Sequence, residues 1–496
     1  MTPLWPILAN ALKHPTRTAV VDDFATTSYA KLAIASLVLA DTIRRLTDRQ
    51  RFGVMLPTSV AFPITLLGGW LAGRTPVPIN YLLSKDDLRY VANDADIDTI
   101  ITVEKMIEHV GGLDAIPPNV RVVYLEKLNL KKFPALRWPT PPKTDDDAVL
   151  LYTSGTSGKP KGVRLTHGNL AANASAIATL AKPFNPKTFV GVLPQFHSFG
   201  LTALTLWPLM TASKVAYTAR FQPKKVIELI RDHQAEVFLA VPSMYGALLS
   251  VKDANDSDLQ SLTCPISGGE PLSHDLAKRF KQRFSTDLFE GYGLTETSPV
   301  TNCCVPGSTK PGSVGKPLPG VRNIIVDDNN QPLGPNLDGE ILIAGPNVMA
   351  GYHHLPELTS EVITTITLPN GETLRAFRTG DIGQLDEDGF LYITGRKKEM
   401  LIIAGENVFP REIEEILNQH PSVHASAVVG RKDPTRGELP IAFVELTENN
   451  TLDEKALRAF CRDHMAPFKV PREIHHLPEL PRNPTGKILR RELNPN

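Results

Sequence analysis

AVLLYTSGTSGKPKG, Ala148 to Gly162, joins an apolar run to a loop of glycines, hydroxyls and lysines. The first six residues read as a β-strand, so the loop from Tyr152 onward follows a strand. Tyr152 to Gly162 holds three glycines, two lysines and four hydroxyl side chains, Thr153, Ser154, Thr156 and Ser157, which suits phosphate. It is not a Walker loop, which requires four residues between its first glycine and Gly-Lys-Ser/Thr. Gly155 and Gly158 stand too close, and Pro160 after Lys159 keeps a helix from starting there in the usual way. From these residues alone two readings stay open. One is a cover over phosphates with Lys161 as counter-charge, and the other is a solvated Gly/Ser loop.

Outward from the loop, WPTPPKTDDD (138–147) is a Pro- and Asp-rich surface connector. Residues 20 to 125 alternate strand-like runs, FGVMLP (52–57), TPVPIN (75–80) and IDTIITV (97–103), with helical stretches such as KLAIASLVLADTIRRL (31–46). That alternation predicts layered α/β sheets. VIELIRDHQAEVFLAVPSMYGALL (226–249) continues it as helix, buried strand and helix. From about 310 to 394 short runs split by turns, GVRNIIVDDNNQPLGPN, GEILIAGP and IGQLDEDGFLYITG, predict a β-rich subdomain. After Gly395 a helix REIEEILNQ is bracketed by Pro410 and His420-Pro421, with Ile413, Ile416 and Leu417 on one face. Strands SAVVG and IAFVEL and a helix DEKALRAFCRDHM follow. The expected fold is α/β: a large N-terminal domain over 1–394, a hinge at 395–398, and a small mobile α+β domain over 399–496.

The length of 496 residues suits two to four domains, and 42% apolar with 21% charged residues suits a globular enzyme. The 53 basic and 53 acidic side chains cancel, which favours neither a nucleic-acid partner nor a polybasic membrane anchor. Cys264, Cys303, Cys304 and Cys461 form no C-x-x-C pair and no zinc spacing, so a reducing compartment is expected. The first residues, MTPLWPILANALKHP, lack a basic segment ahead of an unbroken apolar run, and no stretch nears the roughly 18 apolar residues of a spanning helix. The expected location is the cytoplasm, with peripheral contact at the inner membrane surface left open.

Six more motifs follow the loop in order: LPQFHSFG (193–200), SGGEPLS (267–273), EGYGLTETSP (290–299), FRTGD (377–381), ITGRKKEM (393–400) and NPTGKILRREL (483–493). Together the seven resemble the acyl-adenylate-forming superfamily of acyl-CoA synthetases, luciferases and peptide-synthetase adenylation domains, across nearly the whole chain. The resemblance implies that a substrate carboxylate attacks the α-phosphate of ATP and pyrophosphate leaves, which requires cations and oriented donors. It assigns the β- and γ-phosphates to Thr153, Ser154, Gly155, Thr156, Ser157, Gly158 and Lys161. It gives Mg2+ to Glu296 with Thr153, oxygen donors for a hard cation, and the α-phosphate to Thr295.

By the same resemblance Tyr292 offers a flat face to adenine, with the backbone of Gly268, Gly269 and Glu270 along the other edge. Asp381 accepts from both ribose hydroxyls and Arg396 touches ribose or phosphate. Lys487 reaches from the small domain to the carboxylate and α-phosphate, Lys398 marks the hinge, and Gly405 borders the path of a pantetheine arm. Taken singly, Tyr292 also suits a core aromatic, Asp381 a turn, and Lys397, Lys398 and Lys487 solvated charge.

His197 falls in the segment that resembles the wall of the acyl site. Amino-acid-activating relatives carry an aspartate near there, so a plain carboxylic acid is expected. The following SFGLTALTLWPLMTA (198–212) is free of charge over fifteen residues, which suits an alkyl chain and a buried helix equally. FHSFGLT, EGYGLTETSPV, KPGSVGKPLPG and GPNVMAGY look most like bacterial long-chain fatty-acid activating enzymes, and like the acyl-ACP synthetase part of bifunctional acyltransferase/acyl-ACP synthetases. The H-x-x-x-x-D spacing of His109 and Asp114 lacks the acyltransferase surroundings. The thiol acceptor is CoA or acyl carrier protein, which carry the same pantetheine. An aryl or short-chain acid, and a non-catalytic nucleotide- or lipid-binding protein, are the alternatives.

Overall fold

In the computed structural model, residues 1–128, 141–154, 159–403, 406–433, 435–447, 450–482 and 488–495 are described. Two parallel sheets form the body of the large part. In the nine-stranded sheet, Phe289–Gly293, Cys264–Gly268, Val237–Ala240, Thr188–Gly191, Lys214–Tyr217 and Thr18–Val21 lie side by side in parallel. Short antiparallel strands flank them at both edges. The four-stranded sheet orders Thr75–Pro78, Arg51–Met55, Thr99–Thr102 and Arg121–Tyr124, all parallel. Helices cover both faces of such sheets, so their strands are continuous apolar runs; all four residues of Val237–Ala240 are buried. The helix Pro223–His233 shows the complementary pattern. It opens on its proline, buries Val226, Ile227 and Ile230, and ends where Gln234 turns left-handed at φ +50°.

Chain order reverses direction between Thr188–Gly191 and Val237–Ala240 in one sheet, and between Arg51–Met55 and Thr99–Thr102 in the other. Ligands bind at such switch points, outside the carboxyl ends of the strands. Here residues just past both sheets' carboxyl ends, among them Ser59, Asn80, Val103, His197, Ser243 and Glu270, line one cleft of about 2500 Å³.

Antiparallel strands Arg322–Val326, Gly339–Ala344, Ile363–Thr367, Thr373–Leu385 and Leu391–Arg396 make the expected β-rich sheet. Gly395 and Arg396 lie inside it, and the single turn Lys397–Glu399 follows. Beyond that turn, Leu401–Ile403, Glu406–Val408, Val423–Asp433, Gly437–Leu446 and Glu473–His476 form a separate sheet. The helices Pro410–Leu417 and Glu454–His464 pack on it through Ile413, Leu417, Leu457 and Cys461. Among the described residues no helix is long and apolar enough to cross a membrane.

The charge-free stretch resolves toward packing. It folds as a helix Ser198–Leu201, a π-turn Thr202–Leu206 and a helix Trp207–Met210. Leu201, Leu204, Leu206 and Leu209 are fully buried, and Trp207 sets its edge against Phe189 with ring centres 4.7 Å apart. Only Ser198 and Phe199 of this stretch line the cleft.

Candidate active site

The opening loop sits at the tip of a hairpin. Asp147–Ser154 pairs antiparallel with Pro160–Thr166, which sets Thr153 opposite Lys161 and Ser154 opposite Pro160. Thr153 and Lys161 line the cleft. Gly155, Thr156, Ser157 and Gly158 lie outside the described residues. A third strand, Gly351–Tyr352, joins the hairpin on its outer side, and the Lys161 ammonium stands 5.9 Å from the centre of the Tyr352 ring.

Tyr352 then reaches the residue expected to hold magnesium. Its hydroxyl donates to Glu296 Oε1 at 2.7 Å. Burial, and then the Glu296 charge, raise the Tyr352 phenol far above its ordinary range, so it remains a donor. Glu296 belongs to the turn Thr295–Thr297, whose position is fixed when the Met349 N–H donates to the Glu296 carbonyl at 2.8 Å. Thr295 Oγ1 lies 3.2 Å from Ser198 Oγ. Thr153 and Glu296 line the same cleft, and a hydroxyl with a carboxylate is the oxygen-donor chemistry that magnesium takes.

At the other end, the two oxygens of Asp381 are engaged from within. The Tyr292 hydroxyl donates to Oδ2 at 2.5 Å and Arg396 Nε approaches Oδ1 at 2.9 Å. The Asp381 side chain is only 4% exposed, whereas Arg396 is 42% exposed and lines the cleft. Among the described residues the cleft lining holds Arg396 and not Asp381 itself. Tyr292, expected to face adenine, is half-buried and is not among the residues lining the cleft, whereas Gly293 is. A side chain at Gly293 would put its Cβ 1.9 Å from the Pro299 carbonyl oxygen, so only glycine lets this turn close. Gly269, at φ +85°, and Glu270 line the cleft, while Gly268 packs beneath Phe199.

His197 opens onto the cleft between these ends. Its Nδ1 accepts from the Phe199 N–H at 3.3 Å, which leaves the proton of the neutral ring on Nε2. Surrounding protein lowers its pKa by desolvation, favouring that neutral donor.

Lys397 and Lys398 at the hinge and Glu399, Leu489, Arg490 and Arg491 of the small part line the cleft. Lys487 and Gly405 lie outside the described residues. Arg490, unassigned from sequence, meets Glu414 through Nε at 2.9 Å and Nη2 at 2.6 Å, and Glu399 through Nη1 at 2.9 Å. It thereby ties the segment after Lys487 to the turn Lys397–Glu399. Tyr352 was likewise unassigned, although its Gly-Tyr stands in one of the quoted motifs.

Residues 7–353 match the model of the AMP-binding enzyme family and residues 412–487 that of the AMP-binding enzyme C-terminal domain. The chain is 32% identical to a long-chain-fatty-acid–CoA ligase of Bacillus subtilis, over 98% of this chain and 92% of the relative. It is 31% identical to a feruloyl-CoA synthase of Amycolatopsis, over 99% and 97%. Among solved structures, the o-succinylbenzoate coenzyme A synthetase of Bacillus subtilis in complex with ATP and magnesium ion aligns with a TM-score of 0.85 at 29% identity, covering 98% of both chains.

Proposed function

The chain belongs to the AMP-binding enzyme family and is an AMP-forming acid–CoA ligase, and from that premise we propose that its acid is a medium- or long-chain fatty acid. In the first half-reaction a carboxylate oxygen bonds to the α-phosphorus of ATP as the bond to pyrophosphate breaks, giving acyl-AMP. In the second, the CoA thiolate bonds to the acyl carbon and AMP leaves, yielding the thioester.

In this reading the carboxylate lies near His197, whose Nε2–H donates to it and offsets charge where two anions meet. Thr295 contacts the α-phosphate, and Lys161 with the loop residues 153–158 holds the departing pyrophosphate. A magnesium ion held by Thr153 and Glu296 would supply further charge compensation to the phosphates. Arg396 and Asp381 receive the ribose, and Lys487 reaches the reacting groups during adenylation. The small part then turns about Lys397–Glu399, with Lys398 at the hinge, and admits the thiol past Gly405.

The fatty-acid assignment rests on the apolar side chains Leu83, Val103, Met106, Phe196 and Met244 among the residues lining the cleft, together with the similarity to the B. subtilis ligase. A second reading, an aryl acid, has support from the feruloyl-CoA synthase relative. It also draws on the edge-to-face pair of Tyr81 and Phe196, 4.9 Å apart, both of which line the cleft. Acid-dependent pyrophosphate release with a panel of acids, with CoA and with acyl carrier protein as acceptors, tests both the acid and the thiol.

A further inference from the structure

The helix Lys85–Asp94 belongs to the four-stranded sheet's layer and carries none of the residues assigned above, yet it meets the phosphate-loop hairpin on both sides. Ahead of the loop, the Tyr152 hydroxyl donates to Asp94 Oδ2 at 2.5 Å. Behind it, the Lys159 ammonium stands 5.2 Å from the centre of the Tyr90 ring. Beside it, His353, the residue after Tyr352, approaches the Asp94 carbonyl oxygen through Nε2 at 3.1 Å and so donates there. Tyr152 and Lys159, which precede and follow residues 155–158 in the sequence, thus both meet the end of one helix.

We propose that the carboxyl end of this helix braces the phosphate loop, and that Asp94 is a positioning residue for ATP. The proposal rests on the reading that this loop holds the β- and γ-phosphates.

The chemistry of the contacts favours a brace over incidental packing. An ionised carboxylate accepting from a phenol makes a charge-assisted hydrogen bond, about twice as strong as a neutral one. The Asp94 side chain is only 19% exposed, so water competes little for that bond. Burial, and then the Asp94 bond, hold the Tyr152 phenol protonated. Gly162, the last residue of the loop motif, fits the same arrangement. It pairs with Tyr152 across the hairpin and accepts from the His353 N–H at 2.7 Å. A Cβ on Gly162 would stand 3.1 Å from the Tyr152 ring, the His353 Cβ and Leu150, so a side chain there would crowd Tyr152 and His353. Tyr352 on the same strand holds Glu296, so one strand connects the loop brace to the carboxylate expected to hold magnesium.

The test is equilibrium ATP binding to the full chain by titration calorimetry, with thermal melting of the same samples and the KM for acid. The variants are Asp94→Asn, Tyr152→Phe and the double substitution. Each single change is expected to weaken ATP about tenfold while the KM for acid moves less than twofold. The double variant should be no weaker than Tyr152→Phe alone, because Asp94→Asn takes the charge from the same bond that Tyr152→Phe removes. Tyr152→Phe keeps the ring and serves if Asp94→Asn does not fold. Folded variants that bind ATP as tightly as wild type, whatever their melting temperature, overturn the brace alone. A wild-type chain that binds no ATP overturns the loop assignment and the brace together.

Discussion

The Tyr352 hydroxyl donates to Glu296 Oε1 at 2.7 Å, linking the strand beside the phosphate loop to the turn that carries the magnesium candidate. Removing that donor leaves the carboxylate free to rotate. Tyr352→Phe should raise the magnesium concentration needed for half-maximal activity by about tenfold, the loss of one hydrogen bond to a charged group. The KM for acid should stay within twofold, and a magnesium titration of initial rates checks both.

Arg490 compensates the Glu414 carboxylate, which is 8% exposed and also accepts from the Val428 N–H at 2.7 Å. Arg490→Met strands that charge between helix and sheet. A loss of about 3 kcal/mol or more is expected, since breaking a buried pair leaves one charge unpaired. Hydrogen exchange should report it as faster exchange along Val423–Asp433, with the parallel sheets of the large part unchanged.

His167 is 2% exposed with its ring edge-on to Trp70 at 4.9 Å, and burial lowers its pKa to about 4. The unfolded ring protonates below about 6.5 while the folded ring stays neutral until about 4. The stabilisation is therefore present above pH 6.5 and is lost as pH falls through that window. Between pH 7 and 5 this one group should cost about 2 kcal/mol. His167→Gln should remove that increment from the pH dependence of chemical denaturation, whatever its effect at pH 7.

Lys487→Ala should nearly abolish acyl-AMP formation while leaving thioester formation from supplied acyl-AMP within a few-fold of wild type. Single-turnover assays of each half-reaction separate the two, and equal loss of both would place the lysine elsewhere in the mechanism.

The run VFLA was legible as a strand because a sheet covered on both faces demands unbroken apolar residues, and Pro410 marked a helix start by its missing N–H. The motifs were legible by order and composition. What stayed hidden were contacts made by folding: Tyr352 with Glu296, 56 residues apart, and Tyr152 with Asp94, 58 apart, join segments that no local pattern relates. Asp381 was readable as an acceptor, but its engagement by Tyr292 and Arg396 depends on strand pairing, Asp381 lying opposite Arg396. The charge-free 198–212 stretch could not be divided between pocket and core from composition, because both demand the same apolar side chains.

The most direct measurement is acid-dependent pyrophosphate release from ATP and magnesium, compared across acetate, octanoate, palmitate, benzoate and ferulate in the presence of CoA. The account predicts kcat/KM rising with chain length to a maximum at octanoate or palmitate, with thioester accumulating in step with pyrophosphate. A maximum at acetate, benzoate or ferulate would contradict the fatty-acid assignment, and pyrophosphate release independent of every acid would contradict acid activation itself.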